Sequence, residues 1–479
     1  MRSQKGAPSW YRLRGVTYGR STNATYQKAP IVTVLLIGAF VAILNQTLLT
    51  TALPHLMSDL NITENEAQWV TTVFMLVNGI MIPITAFLIE KFSTRRLFLT
   101  AMGLFVFGTL VCALSPVFST LMVGRVIQAS GAGIMLPLMQ TSFLLLFPIE
   151  KRGSAMGMAG LVISFAPAIG PTLSGWLVED HHWSILFWII LPIGIVNTIL
   201  AYFFLKNIAT IREPKLDIRS IIYSTFGFGG LLLGFSSAGD GDWTSLNVLV
   251  PIIVGAVTLF VFIRRQFRLD QPILEFRVFQ SRTFTFSVLI GIIIFLSMIS
   301  SATILPIYMQ NMNSFSAFES GLILLPGAIM MGILSPIAGR VFDKIGVRYL
   351  AIPGLFLIFI SSVMFTNLQA DTSATYLSVG YAIRMVGTAM AMMPITTAGI
   401  NDLPRVLIPH GTAMNNTLRQ VGSSIGTALF VTIMTTATVS AYASEVESLI
   451  YGVNMTFIIA SVLAAIGFVL TFQFKNKDQ

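Results

Sequence analysis

The chain has 479 residues, 54% of them hydrophobic and 10% charged, with a mean hydropathy of +0.80. Soluble domains carry about 25% charged residues, so this composition excludes a water-facing globular protein and points to a polytopic membrane protein. The net charge of +9 raises nucleic acid as a partner, which the placement of the charges argues against below, and the single Cys112 excludes an intrachain disulfide framework.

In chain order, residues 1–30 are polar and basic (Arg2, Lys5, Arg12, Arg14, Arg20, Lys28) and read as a cytoplasmic tail. The apolar run that follows is too long for a signal-peptide core and reads as a retained span. A membrane helix needs about 20 mostly apolar residues. Such runs fall at 31–53, 67–89, 97–115, 119–146, 153–178, 183–205, 219–239, 245–263, 284–308, 319–341, 349–367, 374–399, 411–437 and 452–473. The expected fold class is thus all-α, with fourteen transmembrane helices. With the N-terminus inside, 26 of the 29 Lys and Arg fall in inside segments, and Arg125, Arg384 and Arg419 lie within spans. External loops carry acids instead: Asp59, Glu64, Glu66, Glu179, Asp180, Asp240 and Asp242. This is the positive-inside pattern. It explains the net charge as topology, leaves no nucleic-acid footprint, and puts both termini in the cytoplasm.

The chain repeats itself. "AFLIEKFSTR" (86–95) follows the second span and "GRVFDKIGVR" (339–348) the tenth, an offset of 253; Arg125 and Arg384 are offset by 259, and Ile169-Gly170 and Ile425-Gly426 by 256. Two copies of a six-helix bundle are expected, at 31–205 and 284–474. The segment 206–283 between them holds an inserted two-helix hairpin and a basic loop at 264–283, either solvated or lying on the anionic leaflet. A short tail, 475–479, ends the chain. Two repeated bundles with a site between them near the midplane form the architecture of a rocking transporter.

Each motif offers a mechanism. In "GRVFDKIGVR", Gly339 permits close packing, Gly346 permits the turn, and Asp343 can accept from the N-terminal amides of a neighbouring helix. Lys344 and Arg348 can pair with it or with another acid. A bond of this kind, made in one conformation and broken in the other, is a gate; a plain charged turn at the interface is the alternative. The first copy offers Glu90, Lys91 and Arg95 in the same places. "LMVGRVIQASGAG" (121–133) buries Arg125 in a span, at a cost of about 2.5–3.5 kcal/mol on insertion scales, so Arg125 faces a partner or a wet cavity. It either ties helices together or biases a protonation or substrate site. "AGLVISFAPAIGPTLSGWLV" (159–178) holds Pro167, Gly170, Pro171 and Gly175. Pro171 bends the helix, and the two glycines offer a groove to a partner helix.

Set in register, these motifs resemble those of the major facilitator superfamily: the loop motif after the second helix of each half, the R-x-x-Q-x-x-G motif of the fourth helix, and the fifth-helix motif of the drug:proton antiporters. "AILNQTLLTTALPHL" (42–56) resembles the first helix of the fourteen-helix drug:proton antiporter family, and Asn45-Gln46-Thr47 with "MMPITTAGIN" (392–401) looks most like its lincomycin-resistance branch. The resemblance implies a major facilitator fold and a bacterial cytoplasmic-membrane exporter of amphiphilic, lincosamide-like drugs. It also implies a proton gradient as energy source, alternating access, no cofactor or metal, and a monomer. Export of a native lipid, siderophore or peptide is the alternative.

The family's acid, seven residues before the Ala of Ala-Leu-Pro, is here Asn45. Candidates for proton coupling are therefore Arg125 with the rim acids Glu90, Asp343, Asp59 and Glu319. By the superfamily pattern the cavity is expected to use Asn45, Gln46, Gln128 and Gln140 from the first half. From the second half it draws on Ser297, Ser300, Asn415, Asn416, Arg419 and Gln420, among methionines that adapt to varied ligands. No buried acid is evident there, which favours neutral or weakly basic substrates. The four histidines and one cysteine form no catalytic cluster in sequence, so no enzyme activity is expected.

Overall fold

A computed structural model describes residues 28–49, 52–209, 211–238, 243–437 and 445–474. The expected tails up to residue 27 and at 475–479, with Asp240 and Asp242, lie outside the described residues. Among the described residues there is no strand, and fifteen α-helices carry the fold. The first set comprises α1 (Lys28–Leu48), α2 (Leu53–Leu60), α3 (Glu64–Lys91), α4 (Thr94–Ala113), α5 (Phe118–Leu146), α6 (Arg152–Asp180) and α7 (Ile185–Phe204). Then come α8 (Ile218–Ala238) and α9 (Leu246–Arg268). The second set is α10 (Arg282–Asn311), α11 (Ala317–Ile345), α12 (Arg348–Met364), α13 (Ala374–Asn401), α14 (Ile408–Thr436) and α15 (Glu445–Thr471).

The helices start where side chains satisfy the free amides of a first turn. Thr63 and Glu66 form a capping box on α3, and Ser316 and Glu319 form the same box on α11. The two boxes stand 253 residues apart, the offset of the loop motifs. Glu319, an expected proton-coupling acid, is therefore an exposed cap whose carboxylate accepts from Ser316 N and Oγ at 2.8 and 2.9 Å. The expected first span, 31–53, is interrupted: α1 ends at Leu48, and Pro54 opens the short α2, which ends at Asn61 in a left-handed conformation (φ 50°).

Thirteen of the long helices are apolar enough to cross a membrane on composition alone; α14 is the exception. It carries Asn415, Asn416, Arg419 and Gln420, three of them buried. A helix shielded from lipid by its neighbours can keep such residues.

Packing repeats between the halves. The neighbours α1–α6, α1–α7, α3–α5, α4–α5 and α4–α7 recur as α10–α14, α10–α15, α11–α13, α12–α13 and α12–α15. The halves meet through α6–α11, α3–α14, α6–α13 and α5–α14. The α8–α9 hairpin stands at this seam, α8 against both α3 and α14. Its ion pair, Asp217 with Arg265, is bidentate at 2.6 and 2.9 Å.

Candidate functional site

Arg125 on α5 is fully buried. Its Nη1 donates to Asn45 Oδ1 on α1 at 2.6 Å and to Gln128 Oε1 at 2.8 Å, its Nε donates to Val70 O at 3.1 Å, and its guanidinium lies 4.1 Å from the Phe74 ring centre. Gln128 Nε2 in turn donates to Thr109 Oγ1 at 2.7 Å. Thus Asn45 and Gln128, expected in the cavity, are spent on Arg125. No carboxylate neutralises it: the acids of the described spans stand in their first or last turns. Cys112, nearby, is buried.

In the other half Arg384 on α13 is equally buried. Its Nη1 donates to Ser297 O and Oγ at 2.7 and 2.9 Å and to Ser300 Oγ at 3.4 Å, while Nε and Nη2 reach Ser361 Oγ and Ser362 Oγ at 3.2 and 2.9 Å. Ser297 and Ser300 belong to this shell and do not line the cavity.

The cavity lies between the bundles and is lined from both. Of the expected residues it brings together Gln46, Asn416, Arg419 and Gln420, and it adds Asn78 of α3 and Phe295 of α10. Asn78, an amide in mid-span, is a signal in the sequence; Phe295 is one of many phenylalanines and offers none. Gln140 lies deeper and accepts from Asn416 Nδ2 at 2.7 Å, a bond between α5 and α14. Asn415 is buried outside the lining.

Further polar contacts join the bundles at the end that carries the basic loops. Arg152 Nη1 donates to Asn401 Oδ1 at 2.8 Å, and Arg405 Nη2 donates to Leu145 O at 3.1 Å. Asp343, at the end of α11, accepts from Gly153 N and Ser154 N at 2.8 Å each and from Ser154 Oγ at 2.5 Å. These are the first amides of α6, where the helix dipole favours an anion. The approach needs glycine: a Cβ on Gly339 would collide with the Gly153 carbonyl. Gly346 ends α11 at φ 89°. Lys344 is exposed and Arg348 half-buried at the same end.

Glu90 ends α3 as Asp343 ends α11, but it meets a side chain. His410 Nε2, on the first turn of α14, stands 3.4 Å from Glu90 Oε1, and Arg212 Nη1 stands 3.6 Å from the same oxygen. The Glu275 backbone N–H donates to His410 Nδ1 at 3.3 Å, leaving Nε2 as the proton-bearing nitrogen toward Glu90. His410 is not among the expected site residues, although the 256 offset of the fifth helices aligns it with Ser154. Lys91 and Arg95 face rings, Phe87 at 5.4 Å and Tyr202 at 4.6 Å, and not acids.

Within α6, a Cβ on Gly170 would strike Thr47 of α1, so close packing occurs there, near Pro167 and Pro171. Gly175 has nothing within 4 Å of such a Cβ and packs against no partner helix, contrary to expectation. Asp59 is exposed at the acidic end, 3.3 Å from His182.

The profile described as Major Facilitator Superfamily matches residues 35–427. The chain belongs to the major facilitator superfamily. It is 57% identical to an uncharacterized MFS-type transporter, YcnB of Bacillus subtilis, over 95% of this chain and 96% of that protein. It is 42% identical to the lincomycin resistance protein LmrB of Listeria monocytogenes over 91% and 95%. The crystal structure of the human organic anion transporter MFSD10 superposes with a TM-score of 0.66 over 93% of this chain and 99% of that one; at 15% identity the likeness is one of fold. As a member of the major facilitator superfamily the chain is a multi-pass transporter of the fourteen-helix type and not an enzyme. Among the described residues no cluster of His, Cys, Asp and Glu could hold a metal ion.

Proposed function

We propose that the chain is a multidrug exporter that moves amphiphilic drugs, lincosamides among them, out of the cytoplasm by drug/proton antiport with alternating access. The observation that carries this is the pairing of a central cavity with clamps at one end. Gln140–Asn416, Arg152–Asn401, Asp343–Gly153/Ser154 and Glu90–His410 all join the bundles on the basic side of the cavity. The positive-inside rule makes that side cytoplasmic, so the arrangement reads as the state closed to the cytoplasm. Identity to proteins named for lincomycin resistance supports the drug class, and the multidrug export protein EmrB of Haemophilus influenzae, 30% identical, supports its breadth.

Antiport needs a group that changes protonation as the gate changes. Asn45 cannot, and Arg125 keeps its charge. The Glu90–His410 pair can. A proton delivered to Glu90 removes the charge that holds Arg212 and His410, freeing the start of α14 from the end of α3. Arg125 then acts as a fixed charge, bound to Asn45, that keeps α1 and α5 together. The protein works as a monomer in the cytoplasmic membrane, with the proton gradient as its energy source.

The test is purified protein in proteoliposomes with a pH dye inside and an imposed proton gradient. Lincomycin should trigger proton movement, and His410→Gln should reduce it at least tenfold. Lincomycin movement without protons would remove antiport and leave a facilitated carrier; no movement of lincomycin would remove the drug class.

A further inference from the structure

We propose that the cavity is built for an amphiphile bearing one anionic group, a carboxylate or sulfonate, which Arg419 receives. This rests on the reading of the chain as an exporter and names the class of its substrate.

The three guanidiniums buried within spans differ in how they are satisfied. Arg125 and Arg384 are each held by several oxygen acceptors inside their own bundle, with only Nη2 of Arg125 left without one. Arg419 is not. It is 6% exposed and lines the cavity, yet its Nε and Nη1 have no hydrogen-bond partner. Its guanidinium is backed by the Phe295 ring, 4.5 Å from the ring centre. Stacking on an aromatic face orients the plane while leaving the N–H edge free.

No Asp or Glu lines the cavity. Its other polar groups are the amides of Gln46, Asn78, Asn416 and Gln420, which can accept or donate but cannot neutralise a charge. A buried cation without a counter-ion is costly, and burial strengthens its attraction to an anion. The planar fork suits a carboxylate or sulfonate, which can take two parallel N–H bonds. The apolar walls, including Ile43, Ile82 and Leu136, suit the body of an amphiphile. A permanently cationic drug would meet an unscreened like charge, whereas a weakly basic one such as a lincosamide can enter as its neutral amine. Thus the cavity should discriminate by charge and tolerate changes of shape.

The test is binding to the purified full chain in neutral detergent, read by fluorescence anisotropy with two dyes on one xanthene frame: anionic fluorescein and cationic rhodamine 123. Fluorescein should bind at least about tenfold tighter, or about 1.4 kcal/mol. Arg419→Gln should erase that preference while rhodamine 123 binding persists or tightens, and Arg419→Lys should recover part of it. Should the glutamine variant fail to fold, competition on the unaltered protein decides: 1-naphthalenesulfonate should displace fluorescein and 1-naphthylmethylamine should not. Equal or tighter binding of rhodamine 123, or equal competition by the amine, overturns the proposal. Lincomycin movement in proteoliposomes reads the exporter assignment separately. A chain that moves lincomycin without preferring the anion refutes this proposal alone; one that prefers the anion and moves no lincomycin refutes the drug class alone.

Discussion

Glu90 on α3 and His410 on α14 stand 3.4 Å apart across the seam, and Asp343 on α11 and Ser154 on α6 meet at the repeat-related crossing of the same seam. The two gates are related by the internal repeat but differ in chemistry. Asp343 meets backbone amides and a serine hydroxyl, whereas Glu90 meets an imidazole and a guanidinium. Around the pair stand Arg212 from the linker and, before α10, Glu275 and Arg277, themselves paired at 3.3 Å. The double variant Glu90→Asp with His410→Ser gives this crossing the side chains of the other gate, with Pro409, which has no N–H, standing where Gly153 donates. Its drug transport should persist with proton coupling weakened at least about threefold, measured as protons moved per drug in inverted vesicles. Coupling as tight as that of the unaltered protein would move the proton-carrying group elsewhere.

Asn45 accepts from Arg125 at 2.6 Å, so removing the amide strands a buried charged donor. Asn45→Ala should destabilise the protein by about 1–3 kcal/mol, read as a lower Tm in detergent. Asn45→Asp places a carboxylate on the same bond. It should fold, raise Tm, and add a second proton-dependent step to lincomycin-triggered acidification. An unchanged proton signal would mean that this position does not communicate with the gates.

Much of this was legible in the sequence because the physics involved is one-dimensional. Fourteen apolar runs follow from the thickness of the bilayer, and the segregation of Lys and Arg fixes their count. The offset of 253 predicts a repeat that the packing shows helix by helix. The site was less legible. Ser297 and Asn45 look like cavity residues by type and position, but each turns toward a buried arginine, and a helix position does not reveal its face when every face is apolar. Glu319 looks like a functional acid near a span, but it is a cap, which Ser316 three residues earlier signals. His410 needed the repeat offset to find its partner, because Glu90 lies 320 residues away. Pro54 marks the break after α1, but the apolar run around it hides the start of α2.

The α6–α11 contact depends on small residues. A Cβ on Gly339 would meet the Gly153 carbonyl, and one on Gly157 would lie 2.6 Å from Ser335 O. Gly339→Val should separate the helices at the basic end and pull Asp343 off the α6 amides. With only one native cysteine, buried Cys112, a cysteine at Ser154 gives a clean readout. Its labelling by a water-soluble maleimide should rise at least about fivefold in Gly339→Val, with drug transport reduced. Unchanged labelling would show that the gate tolerates the extra volume.

The α8–α9 hairpin is closed by Asp217, which accepts from Arg265 Nε and Nη2 and, at 2.5 Å, from Ser220 Oγ. Hydrogen bonding to Arg265, foremost, holds the Asp217 carboxyl below its usual value. A group whose folded value is depressed contributes stability above its unfolded value and loses it as pH falls through the folded one. The pair should therefore hold at neutral pH and fail only in acid, below about pH 4. Asp217→Asn should lower Tm at pH 7 by a few degrees, and the difference should shrink as pH falls below about 4, so that the two melting curves converge on acidification. Ser220 and Gln266 continue the same network, with Gln266 Nε2 donating to Ser220 Oγ at 2.7 Å and its Oε1 accepting from Ile273 N at 2.8 Å. Loss of the acid should therefore also loosen the segment leading into α10. Faster hydrogen exchange at Ile273 in Asp217→Asn would show that coupling, and unchanged exchange there would confine the effect to the hairpin.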